Sequence, residues 1–346
     1  MTIPQSTAEM PAMMYGTAWK KERTAELVYQ AIKAGFRGID TAAMKRHYDE
    51  AGTGEGIRRA IREGICTRKD LFIQTKFTPV DNTSAYSPAD PIPAQIHASI
   101  TSSLANLFPT DPSDRTNGSG GDGGKPYLDA LILHSPFPTT QQTLEAWNAL
   151  QAYLPAAPRD SSSSSSSGPP RGQAPDDPRA GTILRLGISN VTLPVLRALA
   201  SAAEAGGGAV LPQIVQNRFR AAERAWDADV RAWCAERAVS YQAFWTLTAN
   251  GAVWQQRAGF VADVARGAGV SPAGAWYALL MLAAGLVVLN GTTDPAHMRE
   301  DLEVLGRVRR WRETAEGREV WGRCATEFGR LVGGGVTVVD QEGNES

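Results

Sequence analysis

The sequence predicts a single (β/α)8 TIM barrel over residues 1–346, carrying two flexible low-complexity insertions. Three observations point there. Strand-like and helix-like patterns alternate eight times, which implies a parallel sheet, and eight is the number that closes a barrel. Short apolar runs repeatedly end in a polar or charged residue. The chain is 346 residues long and 42% hydrophobic, enough for one large core.

In chain order, the first strand is expected at residues 13–19 and a helix through Val28, Ala31 and Ile32 ends at Gly35. The second strand is residues 36–42, where Ile39 delivers Asp40, and its helix covers about 55–63. Residues 71–77 form a compact apolar strand ending near Lys76, followed by a helix at about 94–107. Residues 127–134 read as a buried strand ending in His134, with a helix at 144–154. Strand 183–189 is followed by helix 194–205, strand 213–217 by helix 225–237, and strand 239–245 by a helix at about 272–284. The eighth strand is residues 286–289, and a last helix spans roughly 317–331.

Two stretches break the alternation. Residues 111–126 are rich in glycine and aspartate, and residues 156–181 contain seven consecutive serines, Ser161–Ser167, with prolines beside them. Both are poor in apolar residues and are expected to be mobile surface insertions. Each follows a helix and precedes a strand, which puts it on the N-terminal face, away from any chemistry.

The bulk composition narrows the function. A net charge of −1 gives no polyanion-binding surface, so no nucleic acid is expected. The first residues lack a basic, then apolar, leader, and the apolar stretch 275–290 is too short and too broken by glycine to span a bilayer. Cys66, Cys234 and Cys324 are scattered, so a reducing, cytoplasmic setting is expected. The four histidines (His47, His97, His134, His297) are dispersed without zinc-ligand spacing, and no metal is expected.

Common motifs fail. Gly52-Thr53-Gly54-Glu55-Gly56 brings its third glycine one residue too early for a dinucleotide fingerprint. Gly123-Gly124-Lys125 is followed by Pro126, where a phosphate loop needs Ser or Thr. Gly187-Ile188-Ser189-Asn190-Val191 lacks the closing glycine of a nucleophile elbow.

What remains is the set of polar residues at predicted strand ends: Asp40, Lys76, His134, Ser189, Asn190, Gln216 and Asn217, with Tyr48 in the loop after the second strand. A tyrosine is a poor acid near neutrality, but a neighbouring ammonium favours phenolate and a carboxylate can hold that ammonium. A histidine beside them can hydrogen-bond a substrate oxygen. Such a group suits proton donation to a carbonyl becoming an alcohol, with hydride from a bound cofactor. Singly, each residue has an ordinary reading: a turn cap for Asp40, a solvated strand end for Lys76, a satisfied buried ring for His134.

Taken together and in order, these pieces are similar to the aldo-keto reductase superfamily. The resemblance is carried by Gly16-Thr17-Ala18-Trp19, residues 35–42, Gln74-Thr75-Lys76, residues 131–136, residues 187–190, residues 213–219 and Gln242-Ala243-Phe244. It implies the eight-stranded barrel and NAD(P)H-dependent reduction of an aldehyde or ketone. It also implies Tyr48 as proton donor, Lys76 and Asp40 as its tuning pair, and His134 as the group orienting the carbonyl. Implied cofactor contacts are Thr17, Ala18, Asp40, Ser189, Asn190, Gln216, Phe244, Leu247, Gly291, Thr292, Thr293, His297 and Asp301. Phe244 stands where the family usually stacks a tyrosine on the nicotinamide, and any aromatic face can stack. Trp19, Phe77, Phe137 and Trp245 are expected to line a pocket for a small-molecule carbonyl substrate.

Two departures matter. The family usually places its tyrosine five positions after the aspartate; here that position is Lys45, and Tyr48 comes eight after Asp40. Counting back from Gly54 by the family spacing lands on His47 instead. In the eighth-strand loop, Gly291 and His297 replace the Lys and Arg that commonly pair the 2′-phosphate of NADPH. Arg299 lies close in sequence and can substitute, so NADPH is expected and NADH is the alternative. The altered tyrosine spacing keeps open a non-catalytic, redox-sensing nicotinamide-binding barrel. Oligomeric state and the particular carbonyl leave no trace in the sequence.

Overall fold

The computed structural model describes residues 9–79, 86–109, 125–155, 179–205, 210–255 and 259–333. Its eight strands run β1 (Met13–Gly16), β2 (Gly38–Asp40), β3 (Phe72–Phe77), β4 (Ala130–Leu133), β5 (Leu186–Ser189), β6 (Ile214–Arg218), β7 (Ser240–Phe244) and β8 (Val287–Asn290). They form a closed barrel in chain order, and the registers are parallel. The helices are α1 (Thr24–Ala34), α2 (Glu50–Arg62), α3 (Ile92–Leu107), α4 (Thr140–Gln151), α5 (Leu193–Glu204), α6 (Arg224–Glu236), α7 (Gly251–Trp254), α8 (Gly259–Ala268), α9 (Pro272–Ala278), α10 (Pro295–Arg312) and α11 (Ala315–Val332).

Six of the expected strands are present but shorter, because residues flanking each run do not pair in the ladder, and β6 and β8 keep their expected lengths one residue further along. Residues 111–124 and 156–178, most of the two expected insertions, lie outside the described residues. Helix α2 starts at Glu50, not at the expected residue 55. Asp49 caps it, its carboxylate accepting from Gly52 N at 2.9 Å. Helices α7, α8 and α10 are not among the expected elements. In α10 the buried apolar side chains are just Met298, Val304 and Val308 across 18 residues, too sparse for a visible stripe.

By contact density the chain divides into two compact units. The first contains β2 to β5 and helices α2 to α5. Within it, Asp40 pairs with Gln74, Lys76 with Ile132, and Ile132 with Gly187. Gly54 lets α2 meet the end of α3, since a Cβ there would fall 2.4 Å from the Asn106 carbonyl oxygen. The second unit contains β1, β7 and β8 with α6 to α11. There Met14 pairs with Leu289, and Trp276 is fully buried against Phe328 in an edge-to-face contact. Among the described residues no helix is long and apolar enough to cross a membrane.

Candidate active site

In the first unit, strand alternation places the chemistry. Residues two apart on a strand share a face, so Gln74 and Lys76 point the same way, and Asp40 faces Gln74 across the ladder. The Lys76 ammonium donates to both Asp40 carboxylate oxygens, at 2.8 and 2.7 Å, and to the Thr41 carbonyl at 2.8 Å. Gln74 Nε2 adds a donor to Asp40 Oδ1 at 2.6 Å. Lys76 is 1% exposed and Asp40 2%. Burial alone would lower the lysine's pKa, but Asp40 and Tyr48 outweigh it and hold Lys76 above its ordinary value.

The lengthened loop is pinned at both ends. Ala43 N donates to Lys76 O at 3.0 Å, and Tyr48 N closes a turn onto Met44 O at 2.9 Å. Asp49 then begins α2. Tyr48 is thus the last residue before a fixed helix start, and its ring lies over Lys76, 5.0 Å from Nζ. His47, the competing position, stacks instead on Trp19 with ring centroids 3.9 Å apart. The expected lowering of the Tyr48 pKa needs correction. Burial dominates and raises it, Lys76 pulls it down by charge and hydrogen bonding, and Asp40 pushes it up. The phenol therefore stays protonated through the neutral range.

His134 follows β4, its backbone N–H donating to Phe77 O at 2.8 Å. Its ring meets Tyr48 at a centroid distance of 6.0 Å and 72°. Burial, with the nearby charge of Lys76 and then His47, drives its pKa down to about 3. A histidine held neutral this way favours the native state above the ordinary value near 6.5. As pH falls from there toward about 3, unfolded chains take up a proton that the native state refuses. Stability should then drop by at most ~1.4 kcal/mol per pH unit from this group. Carbon-13 NMR of the His134 ring should show no titration between pH 8 and 5; a midpoint near 6.5 would mean the ring is solvated.

Ser189 is buried, and Asn190 donates to the His134 carbonyl at 2.9 Å and to Ser189 Oγ at 3.2 Å. Asn190 and Trp19 both have left-handed backbones (φ 52° and 64°) in loops that follow strands, a costly conformation that concentrates at functional sites. Thr17, whose N–H donates to Asp40 O at 2.9 Å, keeps a buried hydroxyl without a hydrogen-bond partner among the described residues. Thr41 does the same. The pocket expectation changes as well. Phe77 has no exposed surface and packs on Tyr86 and the buried Phe137, because its position on β3 alternates away from Lys76. Trp19 is 61% exposed.

In the second unit, buried Gln216 donates to Gln242 Oε1 at 2.8 Å. Phe244 is half-buried and meets Trp245 edge-on, while Trp245 is 49% exposed. In the loop after β8, Gly291, Thr293 and His297 are exposed, and Thr292 O accepts from Tyr15 Oη at 3.0 Å. Asp301 is turned inward. Asn290 donates to it at 2.7 Å, and burial raises its pKa to about 6.

The sequence reading missed Gln74 and Thr78. The signal was available: both share the Lys76 face at two-residue spacing. Thr78 Oγ1 lies 2.8 Å from His134 Nδ1.

Residues 12–114 match the model of the Aldo/keto reductase family. That segment, which holds Asp40, Tyr48 and Lys76, is the part of the chain that resembles the family. The chain is 51% identical over 70 residues to an NAD(P)H-dependent pentose reductase of Pyricularia oryzae, covering 20% of each chain. It is 47% identical over 68 residues to an NAD(P)H-dependent D-xylose reductase of Pachysolen tannophilus, again 20% of each. The match to the uncharacterized oxidoreductase YtbE of Bacillus subtilis is longer, 28% over 239 residues, with 68% of this chain and 64% of that one. The chain thus spans a fifth of the length of the two sugar reductases it matches. In fold it is similar to a silkworm (Bombyx mori) aldo-keto reductase complexed with NADPH, with a TM-score of 0.62 at 17% identity over 94% of this chain and 88% of that one. An aldo-keto reductase from a deep-sea metagenome library gives a TM-score of 0.60 at 17% identity, covering 90% and 94%.

Proposed function

We propose that this chain is an aldo-keto reductase that reduces an aldehyde or ketone to an alcohol, using NADPH or NADH. Hydride would come from the nicotinamide and the proton from Tyr48. The observation that carries the reading is the buried ammonium of Lys76, held by Asp40 and facing a protonated Tyr48 phenol. As the substrate oxygen gains negative charge it becomes a far stronger base than any resting group nearby, so the phenol gives up its proton at that moment. The remaining phenolate is stabilised by Lys76, whose own charge is balanced by Asp40. His134, neutral and beside Tyr48, would hydrogen-bond the carbonyl oxygen and fix its direction.

A nicotinamide cofactor suits the residues present. The Thr17 hydroxyl is buried and unpartnered among the described residues, as expected of a group that waits for a polar ligand. In the first unit, Ser189 and Asn190 offer hydroxyl and amide groups of the kind that hold a carboxamide, whereas Gln216 and Phe244 are assigned to the nicotinamide by family resemblance. Gly291, Thr292, Thr293 and His297 are assigned to the adenosine end by family resemblance. When bound, the cofactor supplies the hydride; the chain supplies orientation and the proton.

The test is direct. Purified protein should shift or quench nicotinamide fluorescence and should oxidise NADPH or NADH on addition of reactive aldehydes, with D-xylose included in the panel. Binding without turnover across a broad carbonyl panel would favour a redox-sensing barrel instead, and failure to bind either cofactor would remove both readings.

A further inference from the structure

Strand β3 and the residue after it present Gln74, Lys76 and Thr78 at two-residue spacing, on one face. The first two hold Asp40. Thr78 holds something else: its hydroxyl oxygen lies 2.8 Å from Nδ1 of His134, and the residue is buried. The backbone around this contact is tied down. His134 N–H donates to the Phe77 carbonyl, and the Tyr86 phenol donates to the Thr78 carbonyl. Tyr48 closes another side of the imidazole.

The direction of the Thr78–His134 hydrogen bond follows from accounting for the protons. Among the described residues, the Thr78 hydroxyl has His134 Nδ1 as its hydrogen-bond partner and no second one. If it accepted from an Nδ1–H, its own proton would be buried without an acceptor, which folded chains avoid. If it donates, that proton is satisfied and Nδ1 uses its lone pair. A neutral imidazole whose Nδ1 accepts must carry its proton on Nε2. Among the described residues Nε2 has no hydrogen-bond partner, so its N–H is available to a ligand.

We propose that Thr78 is a positioning residue that locks His134 in the Nε2–H tautomer, so that Nε2 can donate to the substrate's carbonyl oxygen. This rests on the reading of His134 as the carbonyl-orienting group. Without the lock, the ring could place its proton on Nδ1 and present a lone pair to the substrate oxygen. Two electron-rich atoms would then oppose each other where a donor is needed. The role is the one played by the partners that fix the tautomer of ligand-binding histidines elsewhere.

Long-range proton–nitrogen correlations on the free, 15N-labelled protein read the tautomer of His134 directly, with a His134→Gln sample identifying its signals. The wild-type ring should show the Nε2–H pattern at neutral pH. Thr78→Val keeps the shape and removes the hydroxyl. It should give a mixed or Nδ1–H pattern and lower kcat roughly 10- to 100-fold, with cofactor affinity unchanged. Thr78→Ser should restore both the pattern and the rate. An Nδ1–H pattern in the wild-type protein overturns the proposal without any variant having to fold. So does a Thr78→Val protein that keeps the Nε2–H pattern and the wild-type kcat. A tautomer shift with no change in kcat upholds the lock and overturns the role given to His134, which separates the two failures.

Discussion

Tyr48→Phe should leave nicotinamide binding intact and reduce kcat by about 10²- to 10⁴-fold, the range that a positioned proton donor contributes. The substitution removes one hydroxyl and keeps the ring that rests against Lys76 and His134. Fold and cofactor affinity are therefore expected to stay close to wild type. Fluorescence titration with the cofactor and steady-state rates on one reactive aldehyde separate these effects. The ambiguity in the sequence makes this experiment decisive. His47 stands at the family spacing when counted back from Gly54, whereas Tyr48 stands over the lysine in the folded chain. If the Phe variant turned over within a few-fold of wild type, Tyr48 would not be the donor, and His47 would be the next group to replace.

Lys76→Met should destabilise the protein by about 3–5 kcal/mol, the usual effect of deleting one partner of a buried ion pair. Asp40 would keep the Gln74 hydrogen bond but lose the ammonium that donates to both of its oxygens. A buried carboxylate cannot recover that interaction from solvent. Since folded chains are stable by only about 5–15 kcal/mol in all, the loss should be plain in a denaturant midpoint and in soluble yield. Removing both charges, as Asp40→Asn with Lys76→Met, should recover most of it, because replacing a whole buried pair is often nearly neutral. Equal stability of the single Lys76→Met variant and wild type would show that the pair is solvated. Both variants should be inactive under the proposed mechanism, so stability here must be measured apart from turnover.

Much of this was legible before folding was considered. The (β/α)8 class could be read because buried parallel strands are written as short, nearly continuous apolar runs, and helices as a different period. Residues 130–133, Ala-Leu-Ile-Leu, are such a run, and they form β4. Helix α10 escaped because its few buried apolar residues are diluted by arginines and glutamates. Its capping sequence, Asp294 followed by Pro295, was the signal available. Phe77 was misjudged as a pocket wall for a related reason. Its neighbour Lys76 faces the site, and on a strand that puts Phe77 on the other side.

The sequence by itself determined the order of elements, the residue types at each strand end and the presence of a carboxylate, an ammonium, a phenol and an imidazole along the first half of the chain. These are local or periodic properties, written residue by residue. Tertiary structure decided which of them meet. The register of β2 on β3 lets Lys76 reach Asp40. The turn at Met44 and the cap at Asp49 swing Tyr48, not His47, over that lysine. Burial decided the protonation states: the phenol keeps its proton and the imidazole carries no charge. Desolvation depends on everything packed around a group, and no stretch of sequence contains it.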